Sequence, residues 1–275
     1  MAAWCRLNKL QLNERKCVVI SFSKSSAEIQ YPYSINGIAL KYVSSCRDLG
    51  VIFDNRLAFT NHYSAITASA LRILGFVIRA TKNFRNLEAI KMLYSALVRP
   101  KLEYASVIWA PTYKKYAQSI EKIQRRFLKY LIYKRTGIYP ACGTEYLDIC
   151  GSTNMLTLEE RRICAGVSFI VGLCRGLIYC PSFLALLPIK CPPRNLRSTH
   201  PFQVPLVRSA LAQALPLYRL TTLCNLIIAN SNNSIDNNSS NDNNDAGIDH
   251  IDLFDFNQLP TTGSITSILM YMRNN

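Results

Sequence analysis

Most of the marks that catalytic chemistry leaves in a sequence are missing from this one. The chain has only 3 histidines in 275 residues, His62, His200 and His250. None has an acid or thiol at a spacing that recurs in catalytic or metal sites, so each reads as a surface or capping residue. There is no glycine-rich phosphate loop and no G-x-S-x-G nucleophile elbow. The 10 cysteines include no C-x-x-C pair, which removes the usual zinc-knuckle spacing, and they are too sparse for a disulfide scaffold. Met1 to Arg6 carries no apolar leader core, so the protein is expected to be nuclear or cytoplasmic and not secreted, with reduced, buried thiols. The apolar run 165–173 is about half the roughly 20 residues that span a bilayer, and it reads as a buried helix. Two-metal phosphoryl transfer needs carboxylates that hold ions roughly 3.5–4 Å apart. Nowhere do two aspartates stand side by side, and the region of predicted strands offers only Glu14, Glu28, Asp48 and Asp54. Glu159 and Glu160 are adjacent, but they open a predicted helix, where the helix dipole accounts for them. No metal or cofactor is expected in the chain itself.

What is present is positive charge. The formal net charge is +15. From Leu226 onward the charged residues are Asp236, Asp242, Asp245, Asp249, Asp252, Asp255 and Arg273, a balance of −5, which leaves +20 on residues 1–225. A body that basic attracts polyanions, nucleic acid above all. Membrane is not an expected partner, because no basic amphipathic helix stands alone at a terminus.

Periodicity gives the organisation. A helical pattern runs from Trp4 to Leu12, and Cys17–Phe22 reads as a strand. Asn36-Gly37 supplies the positive φ angles of a type I′ turn between Tyr33–Ile35 and Ile38–Val43, which predicts a hairpin. Leu49–Phe53 follows as another strand, completing a small, mostly antiparallel sheet. From Thr60 the period lengthens to about 3.6. Tyr63, Ile66, Ala70, Leu74 and Val77 share one face. A second helix covers about 87–98 with Leu87, Ile90, Tyr94 and Leu97 inward, ended or kinked by Pro100. A third spans about Lys114–Tyr133, with Tyr116, Ile120, Ile123, Phe127 and Leu131 as its apolar stripe. Thr157 with Glu160 predicts a capping box at the start of a later helix through Cys174. Proline thins the regular structure over 181–205. Residues 230–247 are nearly all Asn, Ser and Asp and are expected to be disordered, while 268–271 reads as an isolated apolar island.

Basic and aromatic residues interleave at Tyr113–Tyr116, Arg125–Tyr130 and Tyr133–Arg135. Such side chains neutralise phosphates and stack on exposed bases. The plainer alternative makes the aromatics core, as expected for Phe127, and the charges a solvated helix face.

Trp4 through Cys17 with Val18-Val-Ile-Ser-Phe22 resembles the palm segment that follows the catalytic Asp-Asp hairpin of non-LTR (LINE-type, jockey-like) retrotransposon reverse transcriptases. Asp48–Asp54 is similar to their primer-grip hairpin. Leu97–Pro111, LVRPKLEYASVIWAP, and Ile120–Phe127, IEKIQRRF, resemble a recurring thumb segment. The succession covers roughly residues 1–205. It implies the C-terminal palm and thumb part of an RNA-directed DNA polymerase, whose thumb holds an RNA–DNA hybrid or DNA duplex. By that resemblance Lys16 matches the lysine beside the incoming triphosphate, a candidate proton donor in a complete polymerase, against a plain role in solvation. Leu49 and Gly50 match the primer-grip turn, where the plain alternative has Gly50 relieving a bulge. Arg72, Arg79, Lys82, Lys114, Lys115, Lys122, Arg125, Arg126 and Lys129 become duplex contacts by region. Mg²⁺ is implied only for a complete polymerase, since the family's metal-binding carboxylates precede the matching segments. The N-terminal polymerase half is therefore an implied partner, and the chain alone is expected to be inactive.

The expected fold class is α+β. A palm remnant covers 1–55, a helical thumb-like region 56–150, a helical connection-like region 151–225, and an Asn/Ser/Asp-rich tail 226–275. Two rival expectations are a host-retained basic nucleic-acid-binding protein and an inert truncated transposon product.

Overall fold

The computed structural model describes residues 2–23, 31–190 and 200–236. They divide into two compact units, Met1–Arg72 and Ile73–Asn275, and the fold is α+β.

In the first unit, helix α1 (Ala2–Leu7) stops well short of Leu12. Lys9 turns into the left-handed region at φ 56°, and the Leu10 amide returns to the Cys5 carbonyl at 2.8 Å. That closing bond satisfies carbonyls the apolar pattern could not place. A 3₁₀ turn, Glu14–Lys16, leads to β1 (Val18–Val19), which pairs in parallel with β4 (Lys41–Tyr42). Between them β2 (Ser34–Ile35) and β3 (Ile38–Ala39) form the predicted hairpin. Asn36 and Gly37 have φ of 51° and 79°, the type I′ signs. A second hairpin joins β5 (Ser45–Asp48) to β6 (Val51–Asp54). Leu49 and Gly50, with φ of 43° and 86°, form its turn, so the strand expected at Leu49 begins two residues later.

The expected single, mostly antiparallel sheet is instead three two-stranded sheets, one of them parallel. Strand propensity reports how well a residue suits a half-buried surface. Val18 and Phe22 stay exposed, so the burial that would lengthen β1 is absent and the local turns dominate.

Helix α2 (Thr60–Ala80) runs through the division between the units. Tyr63, Ala70, Leu74 and Val77 are buried, as their spacing predicts. By length and composition alone this helix could cross a bilayer.

The second unit is helical. Asn86 caps α3 (Leu87–Leu93), accepting from the Glu88 and Ala89 amides. A π turn follows at Tyr94–Val98, with the Arg99 amide bonded five residues back to Tyr94, and then α4 (Arg99–Glu103). The helical path therefore passes Pro100 and ends only at Glu103. The wider turn places Pro100 in the first turn of α4, where its missing N–H costs no bond. It also shifts the inward face by one residue, so Val98 is buried and Leu97 is exposed, the reverse of the simple 3.6 reading. Ala105, left-handed at φ 54°, then starts α5 (Ser106–Trp109).

Helix α6 (Lys114–Thr136) closes on Gly137 at φ 75°. Helix α7 (Tyr146–Thr153) had no signal strong enough to predict. The capping box at Thr157 is present, and α8 runs Leu158–Cys174. Short helices α9 (Pro181–Leu184) and α10 (Ala210–Ala214) precede α11 (Pro216–Asp236). The run 165–173 lies in α8 with Val167, Ile170, Val171 and Leu173 buried against Leu220, Cys224, Ile227 and Ile228 of α11. Helix α11 thus passes the boundary drawn at 226, because Ile227 and Ile228 extend its apolar face onto that core. Residues 230–236, expected to be disordered, continue this helix. Residues 237–275, with the apolar island at 268–271, and Glu28 lie outside the described residues.

Candidate nucleic-acid interface

A helix turns about 100° per residue, so Lys115, Lys122, Arg126, Lys129 and Tyr133 fall within about 60° of one another on α6. Ile120, Ile123, Phe127 and Leu131 point to the far side and are buried. From Lys115 to Tyr133 the stripe covers 18 helical steps, about 27 Å. Lys115, Lys122, Arg126 and Tyr133 are exposed and Lys129 is partly so. The described ion pairs involve Lys91, Arg99, Arg161 and Arg162. Among the described residues no carboxylate neutralises the α6 stripe. Lys114 is exposed at the start of the helix, and Lys115 sits 5.9 Å from the Tyr116 ring centroid.

The other cations of α6 have different work. Arg125 donates to the Thr144 carbonyl, and its Nε is buried without a partner. Lys134 donates to the Lys82 carbonyl at 2.8 Å, and Arg135 to the Ser152 carbonyl at 2.9 Å. These three side chains fasten neighbouring segments to α6. The structure therefore separates Arg125 from Arg126, adjacent residues the sequence had grouped.

Arg79 and Lys82 are exposed at the end of α2, and the Arg79 guanidinium folds back towards Gly75. The end of α2 is held to α6 by the Thr81 and Tyr130 hydroxyls, 2.9 Å apart. Arg72 is exposed in the other unit. Lys16 is exposed at the end of the 3₁₀ turn, and Leu49 projects from the β5–β6 turn at 84% exposure.

Beneath the stripe lies a buried polar chain that sequence reasoning missed. Tyr94 stacks on Phe127 with centroids 4.0 Å apart and planes 7° from parallel. The Tyr94 hydroxyl donates to Gln124 Oε1 at 3.1 Å, and Gln124 Nε2 donates to the Tyr146 hydroxyl at 2.9 Å and the Leu156 carbonyl at 2.8 Å. Tyr146 in turn donates to Glu121 at 2.8 Å, and Glu121 also receives the Leu158 amide and the Arg162 guanidinium. Burial raises the Tyr94 and Tyr146 hydroxyls well above the ordinary tyrosine value. It also raises the Glu121 carboxyl, which Arg162 pulls back only in part. The one available signal was Gln124, a polar residue at an apolar-stripe position, four residues after Ile120. Glu103 of the LVRPKLEY segment is likewise structural, holding Arg161 through two contacts of 2.5 and 3.0 Å. The cleft of about 320 Å³ beside it, lined by Ser106, Leu156 and Cys164, contains that satisfied pair.

The described carboxylates of the first unit do not gather into a two-metal site. Glu14 accepts from Asn36 at 2.7 Å. Asp54 receives the amides of Arg56, Ala58 and Phe59, and Asp48 ends β5 beside the turn. His62 is buried, and its Nδ1 accepts the Ile52 amide at 3.3 Å. Burial lowers its pKa first, and Arg47 second. It is thus a buried residue bonded to a strand amide, not the surface or capping residue expected. His200 is exposed, and His250 lies outside the described residues.

Over 133 residues the chain is 27% identical to a probable RNA-directed DNA polymerase from transposon BS of Drosophila melanogaster. It is a distant, partial relative of a reverse-transcriptase-like protein. The similarity covers 47% of this chain and 15% of the Drosophila protein. No family model matches the chain, and no solved structure does.

Proposed function

We propose that this chain is the C-terminal palm and thumb part of a non-LTR retrotransposon reverse transcriptase, and that α6 grips the backbone of an RNA–DNA hybrid or DNA duplex. The observation that carries this reading is the α6 stripe: Lys115, Lys122 and Arg126 exposed and Lys129 partly exposed along one face, in none of the ion pairs among the described residues. The relation to a transposon polymerase supports it. Four cations in a row read phosphates and not sequence, so binding should be tolerant of sequence and steep in salt. Tyr133, exposed at the end of the stripe, offers a stacking surface to a base or sugar. Catalysis belongs, on this reading, to the polymerase half that carries the family's metal-binding carboxylates. Lys16 is then the candidate proton donor and Leu49-Gly50 the primer-grip turn in the assembled enzyme.

Fluorescence anisotropy with a labelled hybrid tests the grip. Four phosphate contacts give a slope of log affinity against log salt of about −3 to −4, at about −0.9 per phosphate. The triple variant K122Q/R126Q/K129Q should reduce that slope by about 2 to 3. A slope unchanged by the triple variant would sink this reading. The rival of a host-retained nucleic-acid-binding protein predicts the same slope from a chain needing no partner for its stability. The inert-product rival draws on the first unit, whose Trp4, Leu7, Leu10, Val18 and Phe22 are exposed beside two-residue strands. Such surface promotes aggregation, and a soluble monomer with one sharp unfolding transition counts against that rival.

A further inference from the structure

We propose that the acidic segment Asp249–Phe256 of this same chain docks on the Lys122–Lys129 face of α6 and competes there with nucleic acid. The contact stands on charge and reach; the competition rests on the nucleic-acid reading above.

Charge divides the protein. Residues 1–225 carry +20, and the residues after them −5. Three of the six aspartates, Asp249, Asp252 and Asp255, recur every third residue, with Ile251, Leu253, Phe254 and Phe256 among them. Several basic side chains of the second unit are already engaged. Arg99, Arg161 and Arg162 face glutamates. Arg125, Lys134 and Arg135 donate to carbonyls. The α6 stripe has cations without carboxylates, and Lys122, Arg126 and Lys129 stand within two helical turns.

Geometry allows the contact. Lys122 and Lys129 are about 10.5 Å apart along the helix axis, and three residues of extended chain span about 10 Å. The span from Asp252 to Asp255 in an extended chain therefore matches that from Lys122 to Lys129, with Arg126 between the two lysines. The exposed Tyr133 ring lies one turn beyond Lys129, on the side to which Phe256 follows Asp255 in the sequence. Helix α11 ends at Asp236 in the same unit as α6, and α8 packs against both helices. Two helix–helix spacings are about 20 Å, and the twelve residues 237–248 have a contour of about 40 Å. A tethered segment at millimolar effective concentration then occupies the face even when each ion pair is weak.

Zero-length carbodiimide coupling of the dilute full-length chain, followed by peptide mass spectrometry, tests the contact. The expected products join Asp252 or Asp255 to Lys122 or Lys129, and they disappear at about 1 M salt, where the Debye length is about 3 Å. Affinity for an RNA–DNA hybrid tests the competition. The variant D249N/D252N/D255N should bind about three- to tenfold tighter than the unaltered chain, as removal of a tethered competitor predicts. The control D236N/D242N/D245N changes net charge equally and should shift affinity less than about twofold. Cross-links absent or scattered evenly over the lysines, or equal effects of the two triple variants, would overturn the proposal. Cross-links at Lys122 or Lys129 with no hybrid affinity in any variant would instead remove the nucleic-acid reading and leave the tail contact standing.

Discussion

Gly166 is the place where the packing of α8 on α11 can be tested by one methyl group. A Cβ at Gly166 would lie 2.6 Å from Cδ2 of Leu220, far inside van der Waals contact. Leu220 is fully buried, in the same cluster as Val167, Ile170 and Cys224, so its side chain has no solvent into which it can swing. Inserting a methyl into such a core costs about 1–3 kcal/mol. The same substitution removes a glycine from the middle of a helix, which returns about 0.5–1 kcal/mol. Packing wins, and Gly166→Ala should destabilise the chain by about 1 kcal/mol, read as a lower urea midpoint at unchanged m-value. The sign reverses once room is made. In a Leu220→Ala background, itself costly by about 2–5 kcal/mol, Gly166→Ala should stabilise by about 0.5–1 kcal/mol through helix propensity alone. The cycle should show a coupling of about 1–3 kcal/mol. A Gly166→Ala protein more stable than the parent, or a zero coupling, would refute the close approach of these helices.

Two further predictions separate structural from functional charges. Arg162→Met leaves Glu121 buried without its cation and should cost about 3 kcal/mol at neutral pH. Glu121→Gln should cost a similar amount, because it leaves the buried Arg162 guanidinium without its carboxylate. The sign follows from linkage: the Glu121 pKa is raised in the folded state, so its stabilising contribution is present below the unfolded value and lost as pH rises through the folded one. Urea titrations across the acid range should show the Arg162→Met deficit shrinking as pH falls; a deficit independent of pH would contradict this. Arg125→Ala should lower stability by about 1–2 kcal/mol, through loss of a charged hydrogen bond to the Thr144 carbonyl, and leave the salt slope of binding unchanged. Arg126→Ala should do the opposite, reducing that slope by about 1. Equal effects of the two on both measurements would reject the division between them.

What was legible in the sequence was what depends on neighbours along the chain. The Asn36-Gly37 turn, the Thr157–Glu160 capping box, the buried faces of α2 and α6, and the buried helix over 165–173 all follow from backbone sterics or a 3.6-residue period. The misreadings share a cause. Leu12, Leu49, Leu97 and the boundary at 226 were placed by pattern, and each was moved by something pattern does not encode: a left-handed residue at Lys9, a hairpin turn, a π turn before Pro100, and a core waiting for Ile227 and Ile228. The resemblance to reverse transcriptases was also legible, but its strongest segments turned out to be largely architecture. Val98, Leu102, Trp109, Gln124 and Phe127 are buried, and Glu103 is tied to Arg161.

Sequence by itself determined that the body of this protein is strongly basic, that its helices have apolar faces, and that no catalytic constellation is written locally. Tertiary structure alone decided which of the basic side chains are available to a partner. Arg125 and Arg126 are chemically identical neighbours, yet the 100° between them on α6 sends one to a backbone carbonyl and the other to solvent. That choice depends on where the loop carrying Thr144 passes, a contact 19 residues away along the chain, and local sequence holds no record of it.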